Sequence, residues 1–292
     1  MKIGETPNVH GRHLWIGDYG SGKTYMLGQM HNELKKNGSK GLYLMDIDIG
    51  HKTLKSAGIA DDMELAMFTG KEAYVRWAAK IKEFATDNLG YGGLAIDSLT
   101  ALEKHCLKHI MTEIAPTKDR PLGFLPSLQD QGALVNMLEG IMPYLQSISL
   151  HMEVIMTAHL QTRRDEISNI AWNLPSIVGK KLPSKIGSYF NEVWLIEAEK
   201  KIVEGESVIE RTAQTATFDR NKCKTQVKDM PLKLPTHEAI TRAVKAYEIG
   251  EILDADETIA QEKAEQIKAD TRKVDDLGVA VTREELMAQV KT

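Results

Sequence analysis

Residues 17 to 24, Gly17-Asp18-Tyr19-Gly20-Ser21-Gly22-Lys23-Thr24, fit the pattern G-x-x-x-x-G-K-[ST] in full. The pattern dictates its own surroundings. Glycines let the backbone turn so that successive N–H groups point inward around an anion, and the following helix adds the positive end of its dipole. Such a loop needs a buried strand before it and a helix after it. Both are present. "RHLWIG" (12–17) reads as a strand, and a helix from about Gly22 carries Leu27, Met30 and Leu34 on one face before stopping at Asn37-Gly38. The motif implies a nucleoside-triphosphate site in which Lys23 reaches the β- and γ-phosphates and the Thr24 hydroxyl is a ligand for Mg²⁺.

The rest of the chain alternates short apolar runs with helical patterns, as a parallel α/β sheet requires. "GLYLMDI" (41–47), "GGLAIDS" (92–98), "MEVIMTA" (152–158) and "EVWLIEA" (192–198) read as buried strands. "EAYVRWAAKIKEFA" places Trp77, Ile81 and Phe84 on one helical face, and further helices are expected near 100–114 and from the Pro-rich loop at 116–126 up to about Ser149. "SVIERTAQTATF" (207–218) alternates like an antiparallel partner, and "THEAITRAVKAYE" closes the globule.

This gives one α/β domain over 1–248 and an acidic, helical, partly mobile tail over 249–292. From Glu248 onward twelve acidic residues face six basic ones. That tail is either a solvated appendage or a docking segment for a partner or neighbouring subunit. No apolar run approaches the ~20 residues of a membrane span. Cys106 and Cys223 are the only two cysteines, far apart and without a CxxC pair, so neither a disulfide framework nor a zinc site is expected and a reducing cytoplasm is the natural compartment.

Three carboxylates accompany the phosphate loop. Asp97 ends the run "GGLAID" at the carboxyl end of a strand, where it can hold Mg²⁺ through water. Ser98 is available to cap the helix that follows, so Asp97 is not needed for capping. Asp46 and Asp48, two apart at the end of the second strand, share a face if the segment is extended, and one could orient an attacking water. A solvated acidic strand end is the alternative.

These segments, with "VIMTAHLQ" at 154, occur in the order and spacing of the RecA-like P-loop ATPase core. "QGALVNMLEGIMPYLQSI", "TAHLQTRRDE", "PSIVGKKLPSKIGSYFNEVWLIE" and "FDRNKCKTQ" more narrowly resemble phage-encoded RecA-like ATPases known as phage nucleotide-binding proteins, over residues from about 10 to 235. That family accompanies single-strand annealing and recombination functions. The resemblance implies a mostly parallel central sheet flanked by helices, ATP and Mg²⁺ as ligands, and self-association into a ring or filament. It also implies single-stranded DNA and phage or host recombination or single-strand-binding proteins as partners. It places Asp48 where RecA-like proteins have a Glu that polarises water, a departure of one methylene that bears on hydrolysis. His159 or Gln161 falls where a polar residue senses the γ-phosphate. Arg220, Lys222 and Lys224 fall where cations complete a neighbour's site, and the segment after the fourth strand falls where DNA binds.

The residues themselves suit that last role. Between 160 and 190 lie Arg163, Arg164, Lys180, Lys181 and Lys185 around Trp172, opposed only by Asp165 and Glu166. Cations around an aromatic offer single-stranded nucleic acid both phosphate pairing and base stacking. A second loop at 116–131, with Lys118, Arg120 and Phe124, is the other candidate. Three functions remain in competition: a DNA-dependent ATPase (a helicase-like motor included), a small-molecule or nucleotide kinase, and a nucleotide-switched assembly protein with weak hydrolysis.

Overall fold

The computed structural model describes residues 10–114, 125–164, 169–179, 181–203 and 206–253. Lys118, Arg120 and Phe124, Lys180, Asp165 and Glu166, and the tail from residue 254 lie outside them.

The sheet is built from β1 (Arg12–Gly17), β2 (Leu42–Asp46), β3 (Leu65–Met67), β4 (Gly93–Asp97), β5 (Glu153–Arg164), β6 (Ala171–Pro175), β7 (Glu192–Val203), β8 (Glu206–Gln214) and β9 (Lys233–Pro235). Its order is β3-β2-β4-β5-β1-β7-β8-β9, with β6 paired to β5 alone. From β3 to β7 every neighbour on this path is parallel, whereas β8, β9 and β6 are antiparallel additions. The fold is therefore mixed α/β with a mostly parallel central sheet flanked by helices, as expected of a P-loop NTPase core.

Side-chain alternation explains why both faces are covered. Leu14 and Ile16, Leu94 and Ile96, and Val154 and Met156 point to one face, where α3 (Ala73–Phe84), α4 (Leu99–His109) and α5 (Leu128–Ile148) bury Trp77, Leu102 and Leu138 against them. The intervening Trp15, Ala95 and Ile155 point to the other face, under α1 (Lys23–Lys36) and α6 (Thr236–Ile249), with Leu27 and Ile240. α4 continues as a π turn over Ile110–Ile114.

The strands between residues 12 and 198 lie where their apolar runs place them, but three features differ from expectation. β5 does not stop at residue 158: it continues through His159 and Gln161 to Arg164 and folds back as a hairpin with β6. That extension, "HLQTRR", has Leu160 as its one apolar residue and carries no hydrophobic period, so periodicity cannot reveal it. β3 and β9 have three residues each, and α2 (His51–Ala57) only seven, all too short for a pattern. The globule also reaches past residue 248: Ile252 bridges Val227, and the Leu253 N–H donates to the Gln226 carbonyl at 2.6 Å. No helix among the described residues is long and apolar enough to cross a membrane.

Candidate nucleotide site

Gly17 ends β1, and the loop over residues 18–22 leads directly into α1. Gly20 and Gly22 adopt left-handed backbone, with φ of 75° and 98°, which side-chain-bearing residues rarely tolerate. The loop is closed on itself, since the Ser21 N–H donates to the Asp18 carbonyl and Lys23 Nζ donates to the carbonyls of Gly17 (2.8 Å) and Asp18 (2.9 Å). Burial lowers the Lys23 pKa, and the charges of Asp97, Asp18 and Asp48 oppose that fall.

The sheet delivers the acids to this loop. Asp97 is the last residue of β4 and sits beside Asp46 in the parallel register. It is buried, and accepts hydrogen bonds from Thr24 Oγ1 at 2.8 Å and Thr157 Oγ1 at 2.5 Å. Burial raises its pKa; the two threonine hydroxyls oppose the rise, and the charges of Asp48 and Asp46 add to it. Ser98 caps α4 by accepting from the Ala101 N–H, so Asp97 is left for the loop.

Asp46 and Asp48 separate. Asp46, buried at the end of β2, accepts from the N–H groups of Gly50 (2.8 Å) and His51 (3.3 Å) and contacts His51 Nδ1 at 2.5 Å. It closes the turn into α2 and is unavailable to a water. Asp48 lies beyond the strand at the pocket, accepting from Ser98 Oγ at 2.6 Å and lying 3.4 Å from His159 Nε2. The His159 contact is the largest influence holding its pKa below the ordinary carboxylate value, against burial and with help from Ser98.

His159 pairs directly with Gly17 across the β1–β5 register, and its ring lies tilted by 30° against that of Tyr19 with centroids 4.3 Å apart. Gln161 does not reach the pocket. Its amide donates to the carbonyls of Pro175 (2.6 Å) and Ile177 (3.3 Å), which holds the segment after β6 against β5.

A cleft of about 330 Å³ is lined by Tyr19, Gly20, Gly22–Tyr25, Asp48, Gly50, Thr53, Asp97, His159 and Arg211. That volume lies within the range of small-molecule sites. Ser21 Oγ, His159 Nδ1 and Arg211 Nε are buried around the loop without hydrogen-bond partners, which suits a polyanionic ligand that would supply acceptors. Among the described residues no group of three His, Cys, Asp or Glu could hold a metal. Thr24 and Asp97 fit Mg²⁺ only in the way that ion is usually held, by one or two protein oxygens plus substrate phosphates. Thr157 and Arg211 were not evident in the sequence: each lies in a strand run that reads simply as structure.

The DNA and intersubunit candidates sort differently. Arg163 donates to the carbonyls of Gly179 and Ile177, and Lys185 pairs with Glu139 at 2.8 Å, so both are engaged in holding the fold. Lys181 and Arg164 are exposed. Trp172 on β6 is half-buried, and Lys222 lies over its ring at 4.8 Å. The turn carrying Arg220 and Lys222 is joined to β6 by Asn173, whose N–H donates to the Arg220 carbonyl and whose side-chain amide donates to Asn221 Oδ1. Lys224 exchanges backbone hydrogen bonds with Val193. Two groups that sequence reasoning separated, the turn carrying Arg220 and Lys222 and the basic hairpin, thus lie together.

A family model described as an AAA domain matches residues 11–227. No curated protein matches the chain.

Proposed function

Because the chain belongs to the AAA domain family, a class of P-loop nucleotide-binding ATPases, we propose that it hydrolyses ATP in a RecA-like manner and uses ATP to set its grip on single-stranded DNA. The observation that carries this is the continuity of β5. One strand runs from His159, beside the phosphate loop, to Arg163 and Arg164 at the β5–β6 hairpin, where Lys222 and Trp172 meet. A change at the γ-phosphate end of the pocket has a rigid route to that surface.

Within the site, Lys23 exchanges the Gly17 and Asp18 carbonyls for phosphate oxygens. Asp48, kept ionised by His159 and Ser98, accepts the hydrogen bond of the attacking water and orients it. Thr24 and Asp97 would hold Mg²⁺, which supplies charge neutralisation across the phosphates. Arg220 and Lys222 are exposed on a turn rather than in their own chain's pocket, which fits cations offered to a neighbouring copy in a ring or filament. The resemblance to phage nucleotide-binding proteins points to recombination, annealing or replication of phage DNA in a bacterial cytoplasm, alongside recombination or single-strand-binding proteins. The acidic region from residue 254 onward is proposed as an appendage to the ATPase domain.

A second reading, a nucleotide switch with weak turnover, is favoured by one feature: Asp48 is a methylene shorter than Glu and is held back by Ser98 and His159. Fluorescence anisotropy of a labelled thymidine oligonucleotide tests the DNA proposal. Affinity should rise with ATP and Mg²⁺, fall with salt, and drop in Arg164→Ala and Trp172→Ala. Salt-independent or ATP-indifferent binding sinks it.

A further inference from the structure

Arg211 belongs to no motif, yet it is the cation on β8 that lines the nucleotide cleft. It stands opposite Ala198 on β7 and reaches back over the start of α1. Its guanidinium carbon lies 4.2 Å from the centre of the Tyr25 ring. Its stem lies against Gly22, where an added Cβ would stand 2.6 Å from Arg211 Cδ and Nε. Glycine at this position therefore serves two needs, the left-handed turn and room for the arginine. Arg211 Nε is buried with no acceptor, and among the described residues no carboxylate pairs with the guanidinium. A buried donor without an acceptor is costly, and an arginine fork is shaped to take two oxygens of a phosphate at once.

We infer that Arg211 is a nucleotide-binding residue acting on its own chain's site, gripping the phosphates common to ADP and ATP from the β8 side. The location of its neighbours decides which phosphates. Arg211 packs on Gly22 and Tyr25, which bracket the first turn of α1, where unpaired N–H groups gather the anion. The groups suited to the γ-phosphate lie elsewhere: His159 packs on Tyr19 and faces Asp48. Tyr25 supplies a face that fixes the guanidinium plane. Arg211 thus differs in kind from Arg220 and Lys222: it needs no neighbouring copy, and its effect is on binding rather than turnover.

This inference rests on the phosphate loop being a nucleotide site, so the experiment separates the two. Titration calorimetry with ADP and with ATP, both in Mg²⁺, is run on the full chain and on Arg211→Ala, Arg211→Lys and Lys23→Ala. Arg211→Ala should weaken ADP and ATP by a similar factor, on the order of tenfold or more. Arg211→Lys should recover part of the loss. Thermal melting without nucleotide checks that each variant folds. Unchanged ADP affinity in a folded Arg211→Ala overturns the inference and leaves the arginine as a packing group on Tyr25. A loss confined to ATP overturns it too, by moving the arginine to the γ end. If the parent chain binds neither nucleotide and matches Lys23→Ala, the ATPase proposal itself falls and takes this inference with it.

Discussion

Gly50→Ala is the most informative single-atom perturbation of the site. Gly50 has φ −69° and ψ −21°, ordinary right-handed backbone, so alanine enters without backbone strain and its N–H can still donate to Asp46. The added methyl is the whole change. It would lie 2.5 Å from Asp97 Oδ2 and 3.2 Å from both Thr24 Oγ1 and Thr24 Cγ2, at the contact between the two oxygens assigned to Mg²⁺. Asp97 cannot simply swing away, because Thr157 holds its other oxygen at 2.5 Å. Overpacking of this kind costs about 1–3 kcal/mol, and a lost hydrogen bond to a charged group about 1.5–3 kcal/mol. The two are alternatives rather than a sum, since opening the Thr24–Asp97 contact relieves the clash. A net cost of about 2 kcal/mol lowers the melting temperature by about 4–8 °C for a domain of this size. Circular dichroism of nucleotide-free protein reads that shift. Titration with ATP in Mg²⁺ and in EDTA should show the Mg²⁺-dependent part of the affinity lost and the EDTA affinity unchanged. A variant that melts within a degree of the parent and keeps its Mg²⁺ dependence refutes the geometry.

Three further outcomes follow from other parts of the structure. Asp48→Asn should leave ATP binding intact and reduce single-turnover hydrolysis by at least tenfold; unchanged hydrolysis removes Asp48 from the chemistry. Arg163→Ala should cost about 1–3 kcal/mol in denaturant unfolding, because the guanidinium holds the carbonyls of Ile177 and Gly179, while the salt slope of DNA binding stays the same. A changed slope with unchanged stability reverses the assignment of Arg163 as a structural clip. Burial pushes the Cys223 thiol up to about 12 and raises Cys106 as well, so neither should react with a thiol reagent at pH 8 until the chain is unfolded; fast native labelling contradicts that burial.

What the sequence discloses depends on whether a segment's role leaves a local pattern. The phosphate loop is legible because its glycines, lysine and threonine must fall at fixed spacing, and the buried strands because both of their faces are apolar. Asp97 is legible for the same reason, as an acid ending an apolar run. The separation of Asp46 from Asp48 is not, because their spacing is equally compatible with two acids on one face. Only the turn over residues 47–50 shows that Asp46 is consumed by the N–H groups of Gly50 and His51. The basic hairpin is half legible. Its charges are countable, but whether a given cation faces solvent or a carbonyl depends on contacts such as Arg163 with Gly179 and Lys185 with Glu139. Arg211 is hidden altogether, since a strand cation 186 residues from Tyr25 acquires meaning only when the β7–β8 hairpin folds over α1.

The most direct measurement is steady-state ATP hydrolysis by the full chain, with and without single-stranded DNA, at low and moderate salt, with Lys23→Ala as the blank. The account predicts turnover that single-stranded DNA stimulates, that loses this stimulation as salt rises, and that vanishes in the blank. Turnover that depends on Lys23 but ignores single-stranded DNA at both salt concentrations would contradict it, leaving an ATPase whose nucleotide controls something else.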